Sequence, residues 1–417
     1  MEKGVKWCDT LTKEGLLVNS NTARRLYPIA LSHFAIELCN NYLPVVYPIL
    51  ITTMGLTYAQ VGFAALISGV GMTLSQPIFG YLSDRWGAPR LIIASIVWGG
   101  LLMGLVGLAG SYWSLIVLVG LGAFGSAAFH PAGMSAAGSV AAKGRGAALS
   151  VFSVGGSLGS ALSPLLIATA ITRWGLPGTL VLIPVGLLIG FVVYRQLGWK
   201  RNTRPIPIST ETQAAGSQVL ARAGSLAALI LVILMVQCRS WVYFSLVTYL
   251  PEWLRSQGWS LERSSQMLTA LVISVAAGAL VGGATSDRIG RWQVLALTLG
   301  LLGPAVWSFL TTEGAVQVAL LGLIGISIGG SFPVSIAAAQ EAWPHRVGMA
   351  SALVSGLGWL PGGIGAAFTG FVADRTSLTT ALSLLVIPPV LGLICALLYA
   401  HYQPFTIRQV ELQQLRD

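Results

Sequence analysis

The sequence predicts an all-α membrane protein in which twelve transmembrane helices form two pseudo-symmetric six-helix bundles, with both termini cytoplasmic. Three observations carry this expectation. Of 417 residues, 54% are hydrophobic and only 9% charged, with a mean hydropathy of +0.76, whereas a soluble chain carries about 25% charged residues. Long apolar runs recur along the whole chain, separated by short polar joints. A charged stretch, Gly80-Tyr81-Leu82-Ser83-Asp84-Arg85-Trp86-Gly87-Ala88-Pro89-Arg90, is echoed by Gly283-Ala284-Thr285-Ser286-Asp287-Arg288-Ile289-Gly290-Arg291 at an offset of 203 residues, close to half the chain.

A spanning helix needs about 20 mostly apolar residues, and backbone groups in lipid must be satisfied internally. In order, such windows fall at 27–53, 59–82, 90–110, 113–140, 146–172 and 177–197, then at 225–250, 262–285, 293–312, 316–340, 347–372 and 379–402. The alternating segments of about 10 residues that mark a barrel are not visible. Residues 1–24 form a cytoplasmic tail, of which 1–21 are polar and mixed in charge, without the apolar core or cleavage site of a secretory signal, so the first span is expected to do the targeting. The first bundle then occupies 25–197 and the second 225–402. Between them, 198–224 is rich in Arg, Pro, Thr, Ser and Gln and reads as a flexible cytoplasmic linker; 403–417 forms a cytoplasmic tail.

Charge placement sets the orientation. With both termini inside, only Arg173, Arg255, Arg263 and Arg375 fall outside and Arg239 falls within a span, leaving the other 19 of the 24 Lys and Arg on the inner side. By the positive-inside rule this places both termini in the cytoplasm, in a cell inner membrane or plasma membrane. The formal charge of +10 is thereby an orientation signal, and nucleic acid is not expected as a partner.

The repeat extends beyond the charged stretch. Phe129-His130-Pro131 in the fourth window is answered by Ser331-Phe332-Pro333 in the tenth at an offset of 202, and Arg145-Gly146-Ala147-Ala148 faces Arg346-Val347-Gly348-Met349 with a one-residue slip. Parallel six-span repeats around a site near the midplane are a transporter architecture. Glycines cluster in the fifth window (Gly155, Gly156, Gly159) and the eleventh (Gly356, Gly358, Gly362, Gly363, Gly365). Small residues let helices approach closely, and Pro164 and Pro361 supply bends.

Catalysis finds little support. Four scattered cysteines, Cys8, Cys39, Cys238 and Cys395, make neither a disulfide framework nor a metal-ligand spacing. The histidines His33, His130, His345 and His401 form no i, i+4 ligand pair, and no phosphate-cradling loop ends in Lys-Ser or Lys-Thr. Neither an enzyme nor a metal or other cofactor is expected. A membrane enzyme and a channel are the weaker readings, the channel because it does not explain the doubled stretch.

Gly80, Asp84, Arg85, Gly87 and Arg90, repeated as Gly283, Asp287, Arg288, Gly290 and Arg291, resemble the signature of the major facilitator superfamily between spans 2 and 3 and between spans 8 and 9. A narrower resemblance, to the fosmidomycin-resistance branch of bacterial efflux proteins, rests on several motifs. They are Leu31-Ser32-His33 with Glu37, Tyr47-Pro48, Gln76-Pro77, Phe129-His130-Pro131, Val154-Gly155-Gly156, Pro164-Leu165-Leu166, Gln340-Glu341, Arg346-Val347-Gly348-Met349 and Ala373-Asp374. The resemblance implies a proton-driven exporter and a cytoplasmic latch at both charged stretches. Ala88-Pro89 departs from the usual basic character of that signature, and Glu37 stands where the branch is expected to carry Asp.

Charges inside a bilayer cost about 2.5 to 3.5 kcal/mol each on insertion scales, so they are functional hypotheses by default. In the first span His33, Glu37, Asn40 and Asn41 are spaced i, i+4, i+7 and i+8, which places them on one helical face. Glu37 is the candidate proton carrier, against the alternative of a carboxylate pinned in a polar network. His33 and His130 are candidate proton relays, against packing roles. Arg239, in the seventh span, lies one position from the repeat equivalent of Glu37 and offers a fixed planar fork to a carboxylate or phosphonate; it is either a substrate anchor or the partner of Glu37. Asn40, Asn41, Tyr243, Gln76 and Trp359 are candidate pocket walls. Near Gln340-Glu341, a surface ion pair with His345 or Arg346 is expected, with a gating role as the alternative. The leading expectation is proton-coupled antiport of a small anionic or amphiphilic compound out of the cytoplasm by a monomer; uptake of a small organic anion with protons is the alternative.

Overall fold

A computed structural model describes residues 20–140, 145–197 and 225–402, and every regular element among them is helical. Residues 1–19, 141–144, the linker 198–224 and the whole tail 403–417 lie outside the described residues. The helices are α1 (Ser20–Asn40), α2 (Leu43–Met54), α3 (Tyr58–Trp86), α4 (Ala88–Leu105), α5 (Tyr112–Val140), α6 (Arg145–Trp174) and α7 (Leu182–Leu197). They continue as α8 (Leu226–Ser256), α9 (Leu261–Ile289), α10 (Arg291–Thr311), α11 (Gly314–Ala342), α12 (Val347–Arg375), α13 (Leu378–Ser383) and α14 (Ile387–Tyr402). Among the described residues, 11 helical segments are long and apolar enough to cross a membrane.

The windows read from hydropathy recur as helices, and the differences have local causes. The first window is broken into α1 and α2 at Asn41-Tyr42. There the Asn41 side-chain amide donates to the Glu37 carbonyl at 3.0 Å, sharing that acceptor with the Asn41 main-chain N–H at 3.1 Å. Short 3-10 turns at Val106–Leu108, Leu176–Val181 and Leu384–Val386 lie beside α4, α7 and α14.

The described residues fall into two compact units, one taking those of Met1–Ile49 and Val70–Ile208, the other those of Leu50–Gly69 and Ser209–Asp417. In the first unit, α1 packs on α4, α5, α6 and α7, and α4 packs on α5 and α7. The second unit repeats the scheme: α8 packs on α11, α12 and α14, and α10 packs on α11 and α14. Each has a buried apolar core, with Ile36, Ile92, Ile96, Phe129 and Phe152 in the first and Val232, Val236, Leu295, Leu299 and Ala338 in the second. Lipid is as apolar as these side chains, so close backbone approach rather than water exclusion holds the helices together. A Cβ on Gly100 would lie 2.9 Å from the Leu182 carbonyl oxygen, and one on Gly325 would lie 2.5 Å from the Ser274 Cβ.

Leu50–Gly69 comes from the first half of the sequence but belongs to the second unit. Its anchor is Asp374, whose carboxylate accepts from the Tyr58 and Ala59 main-chain N–H groups at 2.7 and 2.9 Å. These are orphan donors at the start of α3, where the helix dipole also favours a negative charge. The Tyr249 hydroxyl bridges the carbonyl oxygens of Tyr58 and Ala366 at 2.9 and 3.0 Å, and Gly62 leaves room for that hydroxyl and for the Ala367 backbone.

Candidate polar sites within the membrane spans

Among the described residues, each unit holds ionisable side chains among its apolar helices. In the first, α1 carries His33 and Glu37 one turn apart, and α5 brings His130 beside them. Glu37 Oε1 lies 3.7 Å from His33 Nε2 and 3.3 Å from His130 Nε2, with side-chain exposures of 16, 12 and 24% for Glu37, His33 and His130. The other carboxylate oxygen, Oε2, accepts from Asn41 Nδ2 at 2.6 Å and from Ser160 Oγ on α6 at 3.0 Å. The ligand-type atoms of His33, Glu37 and His130 lie within 4.8 Å of one another, close enough to share one cation.

The imidazole of His33 is fixed on every side. Its Nδ1 lies 2.8 Å from the Phe152 carbonyl oxygen. The ring stacks on Phe152 at a centroid distance of 4.1 Å and on Phe129 at 5.4 Å, and meets His130 edge-on at 5.5 Å. Space for it comes from Gly156, whose Cβ would fall 2.5 Å from Nε2 and 2.7 Å from Nδ1; Gly159 does the same for Glu37, with a Cβ 3.0 Å from Cβ of the glutamate.

His33, Glu37 and Asn41 of the expected helical face therefore meet, and His130 joins them. The Asn40 amide is instead bonded to the Ile36 carbonyl at 2.7 Å on its own helix. Gln76 sits half-buried on α3 and makes no hydrogen bond to the trio among the described residues. Ser160, Phe152 and the ring-accommodating role of Gly156 were missed by sequence reasoning. The Val154-Gly155-Gly156 motif was the available signal for the last.

In the second unit Arg239 on α8 is buried, with 7% exposure. Its guanidinium carbon lies 5.2 Å from the Phe332 ring centroid, a cation–π arrangement, and Nη2 reaches Ser240 Oγ at only 3.5 Å. Nε has no hydrogen-bond partner among the described residues. Phe332 belongs to the repeat counterpart of the Phe129-His130-Pro131 motif, so each motif touches the ionisable group of its own unit. Tyr243 stands half-buried one turn on and acts electrostatically on Arg239. Trp359 lies on α12, and its side chain is outside the described residues.

The two charged stretches share a backbone device. Gly87 and Gly290 begin α4 and α10 with φ of 91° and 105°, a region that only glycine enters freely. Gly80 and Gly283 are alike in another way, each lying in ordinary contact distance of a proline, Pro131 and Pro333. In the second copy, Arg291 binds Asp287 at 2.5 Å, Ser286 Oγ at 2.6 Å and Glu341 at 3.1 Å. Glu341 thus pairs with Arg291, which the tenth and eleventh helices bring to it; of the partners the sequence pointed to, Arg346 is exposed and the His345 side chain lies outside the described residues. Asp84 and Arg85 of the first copy, like Arg288 of the second, are exposed.

Two helical units of repeated packing, built from membrane-length helices and each burying ionisable groups, define a polytopic membrane transporter. The model of the Major Facilitator Superfamily matches residues 29–366, and the chain belongs to that family. Its relatives include the fosmidomycin resistance protein of Escherichia coli, 28% identical over 88% of this chain and 90% of the relative. Another is an uncharacterised MFS-type transporter of Bacillus subtilis, 27% identical over 89% of this chain and 93% of the relative. Among solved structures, a bacterial homologue of the human lysosomal transporter Spinster in an inward-facing, occupied conformation aligns with a TM-score of 0.75 at 16% identity, covering 92% of this chain and 98% of that one. The nucleoside transporter NupG aligns at 0.70 and 13% identity, covering 91% and 99%.

Proposed function

We propose that the protein is a proton-coupled secondary transporter that exports a small anionic or amphiphilic compound by alternating access. The observation that carries this reading is the Glu37 carboxylate held between His33 and His130 inside the spanning region. A buried carboxylate with two imidazoles can gain and lose a proton as its access to water changes. Arg239 supplies the complementary element, a buried cation whose Nε lacks a partner among the described residues, suited to a carboxylate or phosphonate head group. Half-buried Tyr243 extends this site, with Trp359 proposed as a further wall; in the first unit Asn40, Asn41 and Gln76 are proposed as substrate-contacting residues. The similarity to the Escherichia coli fosmidomycin resistance protein supports drug export.

The architecture that goes with this reading has twelve spans, with α12 as the eleventh, in bundles 25–197 and 225–402, both termini cytoplasmic, working as a monomer. The charged stretches at Gly80–Arg90 and Gly283–Arg291 act as cytoplasmic latches, the second through Asp287, Arg291 and Glu341.

Purified protein in liposomes with an imposed pH gradient tests the reading. Phosphonate or organic-anion substrate should move protons in the opposite direction; parallel movement would establish uptake symport instead, and substrate movement indifferent to the gradient would remove proton coupling altogether.

A further inference from the structure

His33, Glu37 and His130 are spaced as ligands of one metal ion. Glu37 Oε1 stands 3.3 Å from His130 Nε2 and 3.7 Å from His33 Nε2, the second too long for a hydrogen bond. Two ligands of a tetrahedral metal with bonds of about 2.0–2.1 Å lie about 3.3 Å apart, so both separations fall within about 0.4 Å of that spacing. The ligand-type atoms of all three residues lie within 4.8 Å of one another.

The groups behind the ligands point the same way. A backbone carbonyl only accepts, so His33 carries its hydrogen on Nδ1, 2.8 Å from the Phe152 oxygen, and its Nε2 lone pair is turned toward the carboxylate. Metal-binding histidines characteristically donate their other ring N–H in this manner, which fixes tautomer and orientation. Stacking on Phe152 and Phe129 holds the ring further. The carboxylate is oriented too: Oε2 accepts from Asn41 at 2.6 Å and from Ser160 at 3.0 Å, which leaves Oε1 turned to the two imidazoles. His130 offers an Nε2 lone pair in its Nδ1–H tautomer. At 24% it is the most exposed of the three, the side on which an ion and a fourth ligand can arrive.

We propose that His33 Nε2, His130 Nε2 and Glu37 Oε1 bind one divalent transition-metal cation of the zinc class, joining α1 to α5 within the first unit. Two imidazoles and a carboxylate suit Zn(II), Co(II) or Ni(II), whereas Mg(II) and Ca(II) take oxygen ligands. With neutral imidazoles the occupied site carries a net charge of +1, which favours an anion in the fourth position. Spacing along the chain does not show the site, because its ligands come from two helices. The inference goes beyond the proton-coupled reading and does not depend on it.

Calorimetric titration of Zn(II) into untagged, chelator-treated full-length protein in lipid nanodiscs tests it. One equivalent should bind, and Mg(II) and Ca(II) should not compete. X-ray absorption of the zinc-loaded wild type should show imidazole and oxygen ligands at about 2.0–2.1 Å and no sulfur at about 2.3 Å. Loss of a partner behind a ligand costs about 10–100-fold in metal affinity. Ser160→Ala should therefore weaken Zn(II) about tenfold, and His33→Gln, His130→Gln or Glu37→Gln at least about a hundredfold, while His401→Gln, exposed on the last helix, leaves affinity unchanged. Zn(II) should also raise the unfolding midpoint of the wild type and not of the three ligand variants. Absence of binding, sulfur in the zinc shell, or an affinity that survives the ligand substitutions would overturn the site. Where a variant does not fold, the wild-type absorption spectrum decides. Transport by the metal-free protein that ignored a pH gradient would remove proton coupling and leave the metal site standing.

Discussion

Gly156 is where one missing methyl group decides the geometry of the trio. A Cβ there would overlap the His33 ring, including Nε2 at 2.5 Å, and overpacking of this kind costs about 1–3 kcal/mol. Gly156→Ala should lower the thermal unfolding midpoint in detergent and displace the His33 nitrogen resonances. Gly155→Ala, directed at the Ala30 backbone, should destabilise and leave the His33 nitrogen resonances in place. At Arg239 the expected effect is selective. Hydrogen bonds to a charged group contribute about 1.5–3 kcal/mol, so Arg239→Ala should weaken anionic ligands by about tenfold or more and leave neutral ones nearly unchanged in a binding titration; equal losses would show that the residue only supports the fold. At this scale the sequence revealed the ionisable residues because charges are rare in apolar windows. It did not reveal Phe152 or Ser160, which reach the trio from α6 and carry no signature of their own.

The start of α3 depends on a residue 316 positions away, Asp374. Removing a helix-capping carboxylate costs about 1 kcal/mol, and here two N–H groups lose their acceptor together. Asp374→Ala should therefore lower the unfolding midpoint more than Asp374→Asn, which keeps one acceptor oxygen; equal midpoints would show that the cap contributes nothing. A different constraint operates at the start of α10, where Gly290 has φ of 105°. A side chain in left-handed backbone costs about 1–2 kcal/mol, and the Cβ would also meet the Gln293 side chain, so Gly290→Ala should destabilise measurably in the same assay. The helices themselves were readable from apolar length. The break between α1 and α2 was not, because hydropathy averaged over a span does not register a two-residue turn at Asn41-Tyr42.

At the scale of the molecule, sequence repeat and packing repeat coincide: α1 on α6 is matched by α8 on α12, and α4 on α7 by α10 on α14. On the proposed latch role, Arg291→Gln removes the links to both Asp287 and Glu341. It should change the turnover of transport in liposomes with little change in the substrate concentration giving half-maximal rate; a large change in the latter with unchanged turnover would place Arg291 in substrate binding instead. By itself the sequence determined the membrane environment, the order of the spans, the repeat and the family, because each is written in composition or in local spacing. Tertiary structure decided that His130 joins His33 and Glu37, that Glu341 pairs with Arg291, and that Leu50–Gly69 belongs to the second unit. Those outcomes depend on which helix faces which, and close packing through glycines and single directional hydrogen bonds leaves no periodic trace in the chain.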